Sequence, residues 1–275
     1  MKKAHLIYFS PGGTTKKTVT AIAEGMDHIE IIHHDMTKME NRAKKLVFNS
    51  DDLVIFGSMT GTKMYGPIEE ILDCMEGHNT PLIGVVMYGN GFYGSALKDM
   101  KKYVEKQGFV MGAAAAFIGQ YSFTDKIATG RPDAEDRKIQ LKFGKEAYEK
   151  IFERNDRKLH SKVGINWPKN EGARSLIKTA VLISLPRKGM VMPKAWNARE
   201  IDSRCVSCRK CERHCPMQAI EINTKSIDID KCIGCNGCTN VCPTGAIHST
   251  SKTIHEMVSN KILSDRGRRE PELFY

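Results

Sequence analysis

Over residues 1–154, short apolar runs alternate with segments whose apolar positions recur every three or four residues. Leu6, Ile7, Tyr8 and Phe9 close a run over Lys3–Phe9 that predicts a buried strand. Val19, Ile22, Ala23 and Met26 then fall on one face of a helix expected over Thr14–Met26. The same alternation predicts strands over His28–His33, Leu53–Gly57, Leu82–Tyr88 and an alanine-rich Phe109–Ile118, with helices over Ile68–Met75, Ser95–Gln107 and Pro132–Arg154. Pro132 suits a first turn, and Asp133, Glu135 and Asp136 lie at the positive end of that helix dipole. Regular strand–helix alternation predicts a parallel sheet covered on both faces. Ligands of such sheets bind beyond the carboxyl ends of the strands.

This rhythm stops at residue 155. The segment 155–199 carries Trp167, Pro168, Pro186, Pro193 and Trp196, with an apolar stretch from Leu176 to Leu185 that predicts a short helix. That helix either packs on a neighbouring unit or, beside Lys178, Arg187, Lys188 and Lys194, docks on a membrane surface or partner. Four segments result: 1–154, a connector 155–199, a compact unit 200–248 and a tail 249–275.

Charge sharpens the picture. The chain has 275 residues and a net charge of +10, and residues 154–199 alone hold 11 basic against 2 acidic side chains. A basic connector between balanced units suits acidic partner proteins or bound anionic groups better than nucleic acid. No apolar run approaches the roughly 18 residues of a spanning helix. Ala4–Phe9 is too short for the apolar part of a secretion signal. A reducing cytoplasm is expected.

Eight of the nine cysteines lie in a tandem repeat. Cys205-x-x-Cys208-x-x-Cys211-x-x-x-Cys215-Pro216 recurs 27 residues later as Cys232-x-x-Cys235-x-x-Cys238-x-x-x-Cys242-Pro243. A cysteine at every third position, closed by Cys-Pro, is the spacing that wraps thiolates round a cubane iron–sulfur cluster. Two zinc ions, each on four thiolates, can be drawn through the same residues, although zinc sites usually use separated Cys-x-x-Cys pairs. Disulfides between cysteines three apart would crowd. The stretch resembles the two-cluster ferredoxins, in which the Cys of each Cys-Pro serves the other cluster. That resemblance implies one [4Fe–4S] cluster on Cys205, Cys208, Cys211 and Cys242, and a second on Cys232, Cys235, Cys238 and Cys215.

Three loops at expected strand ends carry the remaining chemistry. Ser10-Pro11-Gly12-Gly13-Thr14-Thr15 offers small residues, hydroxyls and a helix N-terminus, all suited to a phosphate. It has neither the dinucleotide glycine spacing nor a P-loop ending. Gly57–Tyr65 and Tyr88–Gly94 combine glycines, polar groups and aromatics, as a site for a flat ring with polar edges requires. Here the chain resembles flavodoxin, and more fully the anaerobe family that fuses a flavodoxin-like domain to a two-cluster ferredoxin. The resemblance implies an α/β, doubly wound parallel sheet of order 2-1-3-4-5 plus a small α+β ferredoxin domain. It implies that Ser10, Gly12, Gly13, Thr14 and Thr15 cradle the phosphate of FMN. Met59, Thr60, Gly61 and Thr62, with Tyr88, Gly89, Asn90, Gly91 and Tyr93, would face the flavin ring.

The remaining residues read blandly: Cys74 as a small buried side chain, His214 as solvated, His33-His34 as lacking a metal partner set, and Arg266–Arg269 as a solvated charge run. Clusters pass single electrons and a flavin takes one or two, so the expected function is electron transfer to redox partner proteins. The alternatives are an FMN-dependent reductase of an organic substrate, with Tyr65, Tyr93 or Tyr121 as proton donor, and a redox sensor whose fold depends on its clusters. No acid–base pair for catalysis stands out.

Overall fold

The computed structural model describes residues 2–60, 64, 66–91, 93–152, 199–250 and 267–275. Five parallel strands form the main sheet: β1 Lys2–Phe9, β2 Ile29–Asp35, β4 Leu53–Met59, β6 Thr80–Tyr88 and β7 Phe109–Ile118. Their spatial order β2-β1-β4-β6-β7 is the expected 2-1-3-4-5 of a flavodoxin-like sheet. Helices α1 Thr14–Glu24 and α4 Ala134–Phe152 cover one face, and α2 Ile68–Asp73 and α3 Ala96–Lys106 serve the other. Leu6, Leu53, Ile55, Ile83 and Phe117 point into the first core, while Ile7, Phe56, Leu82, Val86 and Ile118 point into the second. Runs of consecutive residues in β1, β4, β6 and β7 are therefore apolar, as burial on both faces demands, while the edge strand β2 carries Glu30, His33 and His34 among its apolar residues.

The alanine run of β7 has a packing cause. Ala113 to Ala116 are fully buried, and a Cβ on the preceding Gly112 would come within 2.9 Å of Ile151 on α4. Helix and sheet meet too closely there for larger residues. The α1–α4 contact is equally close, since a Cβ on Gly144 would lie 1.8 Å from the carbonyl oxygen of Ile22. Asp133, expected near the start of α4, caps it by accepting from the amides of Glu135 and Asp136 at 3.0 Å each.

Three features differ from expectation. The helix expected through Met75 stops at Asp73, because Met75–Gly77 forms a short strand, β5, parallel to β3 Leu46–Phe48. A 3-10 turn, Met39–Ala43, precedes β3. The third lies in the tail, where β12 Glu272–Phe274 adds antiparallel to the outer edge of β7, with Leu273 opposite Ala115. The charge run expected to be solvated is engaged there. Arg268 pairs with Asp133 at 2.6 Å and Arg269 with Glu272 at 3.5 Å. Arg266 and the connector helix expected near Leu176–Leu185 lie outside the described residues.

Residues 199–250 form a small α+β unit. It contains β8 Arg199–Ile201, α5 Lys210–His214, β9 Ile220–Glu221, β10 Ser226–Ile227, α6 Gly237–Val241 and β11 Ile247–Ser249. β8 pairs with β11 and β9 with β10, both antiparallel. Among the described residues no helix is long and apolar enough to cross a membrane.

Candidate redox site

The sequence repeat is also a structural repeat. α5 and α6 stand 27 residues apart, as do β9 and the start of β11. Left-handed backbone recurs at the same offset: Ser207 and Gly234 at φ 55° and 72°, Arg209 and Asn236 at 56° and 60°, Gln218 and Gly245 at 48° and 63°. A chain that delivers a thiol every third residue to one point must bend this sharply. Non-glycine residues hold such backbone at a cost of about 1 kcal/mol each. After each turn one short helix runs into Cys-Pro, whose proline cannot continue it.

The eight thiols gather in two groups. Cys205, Cys208, Cys211 and Cys242 line one open cavity of about 300 Å³. Cys215, Cys232, Cys235 and Cys238 line another of about 370 Å³. Each group thus draws three cysteines from one repeat and the Cys-Pro cysteine from the other. Backbone amides serve the sulfurs, with the N–H of Ala219 donating to Cys215 Sγ at 3.3 Å. Burial pushes the Cys235 thiol up to about 12 and Cys238 to about 11, and in both cases neighbouring thiolates add to the rise. Burial raises Cys242 as well, but bonds from Thr244 and the amides of Ala246 and Ile247 outweigh it and hold that thiol below its ordinary value. Four thiols round each cavity would repel one another as thiolates, a cost that a multiply charged cluster offsets. Among the described residues no three such side chains are grouped tightly enough to hold a single metal ion.

The three loops expected to bind a flavin meet at one end of the sheet, because β1, β4 and β6 are adjacent and parallel. The strand order reverses between β1 and β4, which is where this fold opens its crevice. In the first loop Ser10 and Thr15 are buried, Gly13 has φ 81°, and a Cβ on Gly12 or Gly13 would meet no atom within 4 Å. Ser10 Oγ accepts from the amide of Lys16 at 3.0 Å, and Thr14 flanks Gly119. This open glycine turn, at the N-terminus of an 11-residue helix without a side-chain cap on Gly13, suits a phosphate.

In the second loop Met59 is half-buried and the amide of Thr60 donates to the carbonyl of Met87 at 2.8 Å. Gly61, Thr62 and Tyr65 lie outside the described residues. In the third, Gly89 underlies Tyr121, whose ring would sit 2.3 Å from a Cβ there. Tyr88 and Tyr93 are buried in the core, 5.4 Å apart, with the Tyr93 hydroxyl donating to Glu272 at 2.7 Å. Asn90 donates to the carbonyl of Gly267 at 3.3 Å, and Arg269 bonds the carbonyl of Gly91 and stands over the Tyr88 ring. The tail therefore braces this loop, which nothing in its sequence announced.

The small unit docks on the same end of the sheet. Nε2 of His214 lies 2.7 Å from the carbonyl oxygen of Pro11, inside the first loop. His214, expected to be solvated, is instead an interface residue. Arg42 donates to Met36 and Thr37 carbonyls at 2.8 Å each and to the Pro216 carbonyl at 2.9 Å, and Ile233 packs on the core of the larger unit. Pro216 and Ile233 line the cavity of Cys215, Cys232, Cys235 and Cys238, so that cavity is proximal and the other distal.

Residues 198–260 match the family described as 4Fe-4S dicluster domain. The chain thus joins a flavodoxin-like sheet to a ferredoxin-type dicluster unit. No curated protein matches it. Among solved structures it is similar to a flavodoxin from the domain Archaea, at 18% identity over 54% of this chain and 98% of that one, TM-score 0.38. It is also similar to a short-chain flavodoxin associated with a non-canonical PDU bacterial microcompartment, at 14% identity over 54% and 96%, TM-score 0.37. A metal-soaked flavodiiron core from Synechocystis sp. PCC6803 shares 18% identity over 54% of this chain, which spans 36% of that longer one, TM-score 0.38.

Proposed function

We propose that this chain is an electron-transfer iron–sulfur flavoprotein. It passes electrons between two [4Fe–4S] clusters and FMN and exchanges them with redox partner proteins in the cytoplasm. The observation that carries the reading is the docking of the proximal cysteine cavity on the first loop, through His214 to Pro11 and Arg42 to Pro216. When bound, clusters supply one electron at a time and a flavin accepts one or two, so a fixed juxtaposition couples the two kinds of carrier.

The chain's own residues have distinct tasks in this reading. Cys215, Cys232, Cys235 and Cys238 hold the proximal cluster, and Cys205, Cys208, Cys211 and Cys242 the distal one. Ser10, Gly12, Gly13, Thr14 and Thr15 bind the FMN phosphate. The second and third loops, from Met59 and Thr60 to Gly89, Asn90 and Gly91, take the ring edge. Segments 1–154 and 200–248 are the two working units, 155–199 tethers them, and the tail from 249 returns to brace the third loop. The buried Tyr93 hydroxyl is committed to Glu272, so it serves as a strut in this reading and not as a proton donor to an organic substrate.

Anaerobic purification with iron, sulfide and flavin analysis tests this directly. About eight irons, eight sulfides and one FMN per chain are expected. Zinc in place of iron, or no flavin with intact clusters, would overturn it.

A further inference from the structure

The internal repeat supplies a control for reading the surface, because each position on the docked half has a counterpart 27 residues earlier. On the docked half Ile233 packs on the larger unit's core, and Gly237 sits where a Cβ would be 3.1 Å from the Pro11 carbonyl. Asn236 between them is buried. Their counterparts are Val206, Lys210 and Arg209. Val206 is 65% exposed, among the most exposed large apolar side chains described. Cys208, Arg209, Lys210 and Arg213 are exposed around it. The distal half therefore presents the same apolar centre as the docked half, but uncovered, with cations where the docked half has small neutral residues.

We infer that this face of the distal cavity, centred on Val206 and rimmed by Arg204, Arg209, Lys210 and Arg213, docks an acidic one-electron carrier protein. The inference rests on the reading that the distal cysteines hold a cluster. The rim also contains acids: Arg204 pairs with Asp202 at 2.6 Å and Arg209 with Glu212 at 3.2 Å, so four cations face two carboxylates. Arg213 donates to the carbonyl of Cys208 at 3.2 Å, which ties one cation to the ligand loop itself. A small apolar centre inside a net positive rim suits a weak, fast complex, in which charge steers the encounter and little area is buried. Transfer is a single electron: the reduced carrier loses one, the distal cluster gains one, and no bond or proton moves. Pro216 and Ile233 on the edge of the proximal cavity contact the larger unit, whereas Val206 on the distal one does not, so the chain has separate faces for receiving an electron and for passing it to the flavin.

The test uses the full-length, anaerobically purified protein and a small acidic ferredoxin as probe. Cluster bleaching by the reduced probe is followed by stopped flow at about 50 mM and about 500 mM salt, where screening differs severalfold. Binding of the oxidised probe is measured by calorimetry. Lys210→Glu is expected to slow bleaching about tenfold at low salt and to flatten the salt dependence. Val206→Asp should weaken binding at both salts. Lys142→Glu, on the exposed side of α4, should change neither, and dithionite should reduce every variant at the wild-type rate. Loaded clusters with unchanged probe rates in Lys210→Glu and Val206→Asp would overturn the docking face alone, as would equal slowing by Lys142→Glu. Absence of a distal cluster from the wild type would overturn this inference together with the reading beneath it.

Discussion

The guanidinium of Arg42 donates to the carbonyl oxygen of Pro216 at 2.9 Å, across 174 residues of sequence. The same side chain, 4% exposed, bonds Met36 and Thr37, and the Thr37 hydroxyl accepts from the amide of Ser10 at 2.9 Å. One cation thus ties the Cys215-Pro216 turn to the support of the first loop at Ser10. Arg42→Met should leave three carbonyls without their donor and cost about 2–4 kcal/mol of stability. Arg42→Lys should recover only part, since an ammonium cannot span the fork. Denaturant unfolding gives the energies. Hydrogen exchange should show faster opening at residues 213–218, and unchanged exchange there would refute the coupling.

Ligand sharing between repeats predicts a pattern of non-additivity. Cys205→Ala and Cys242→Ala should each lose about four irons, and the double variant no more than either. Cys205→Ala with Cys215→Ala should lose all, since these line different cavities. Iron and sulfide analysis decides. Complete loss in the 205/242 pair, with retention in the 205/215 pair, would reverse the assignment.

Open space over Gly12 makes it a clean probe of the proposed phosphate site. Gly12→Val should barely change stability yet weaken FMN binding at least tenfold, because the added methyls would occupy the place proposed for the phosphate. Flavin fluorescence titration of the apoprotein checks this. Undiminished affinity would move the phosphate elsewhere.

The returning tail gives a prediction that joins stability to the site. Phe274 is 7% exposed at the edge of β7, and Phe→Ala at such a position costs about 3 kcal/mol. Loosening β12 should also release the Arg269 and Glu272 contacts that brace Gly91 and Tyr93. Phe274→Ala should therefore weaken flavin affinity as well as thermal stability. Loss of stability with wild-type flavin affinity would separate the tail from the site.

What the chain revealed in advance follows from where its information is local. The five long strands were legible because each is a short apolar run, most of them followed by helical spacing, while their order and the sharing of Cys215 and Cys242 between repeats came from the family resemblance. β12 was invisible because Glu272-Leu273-Phe274 is three residues long and its pairing partner, the outer edge of β7, lies more than 150 positions away. Met75 reads as the end of a helix and Glu76-Gly77 as unassigned for the same reason, since the pairing partner Leu46–Phe48 is distant and equally short. His214 and Arg42 carry the interface through single contacts to backbone carbonyls, and no periodicity or motif marks a residue that binds a carbonyl 170 or more positions away.

His5 and His34 allow a prediction from charge alone. Nδ1 of His5 lies 3.0 Å from Nε2 of His34, and the rings stack beside Phe48. Burial lowers both below the ordinary value of 6.5; for His5, Asp52 and Glu30 oppose the shift and Lys3 adds to it, while for His34 the neighbouring His5 and His33 add to it. The native state therefore keeps these rings neutral at a pH where the unfolded chain already binds protons. Stability from this pair is full above about 6.5 and declines as the pH falls below it, levelling off only under the lowered native values, with a slope of at most about 1.4 kcal/mol per pH unit for each ring. His34→Gln should remove part of that decline, leaving the variant relatively more stable at about pH 5.5 than at about pH 7.5 when compared with the wild type. Denaturant midpoints of both proteins at the two pH values make the comparison, with iron content measured in parallel so that cluster loss is not mistaken for the histidine effect. A wild-type and variant difference that stays constant with pH would show that these rings do not titrate on unfolding.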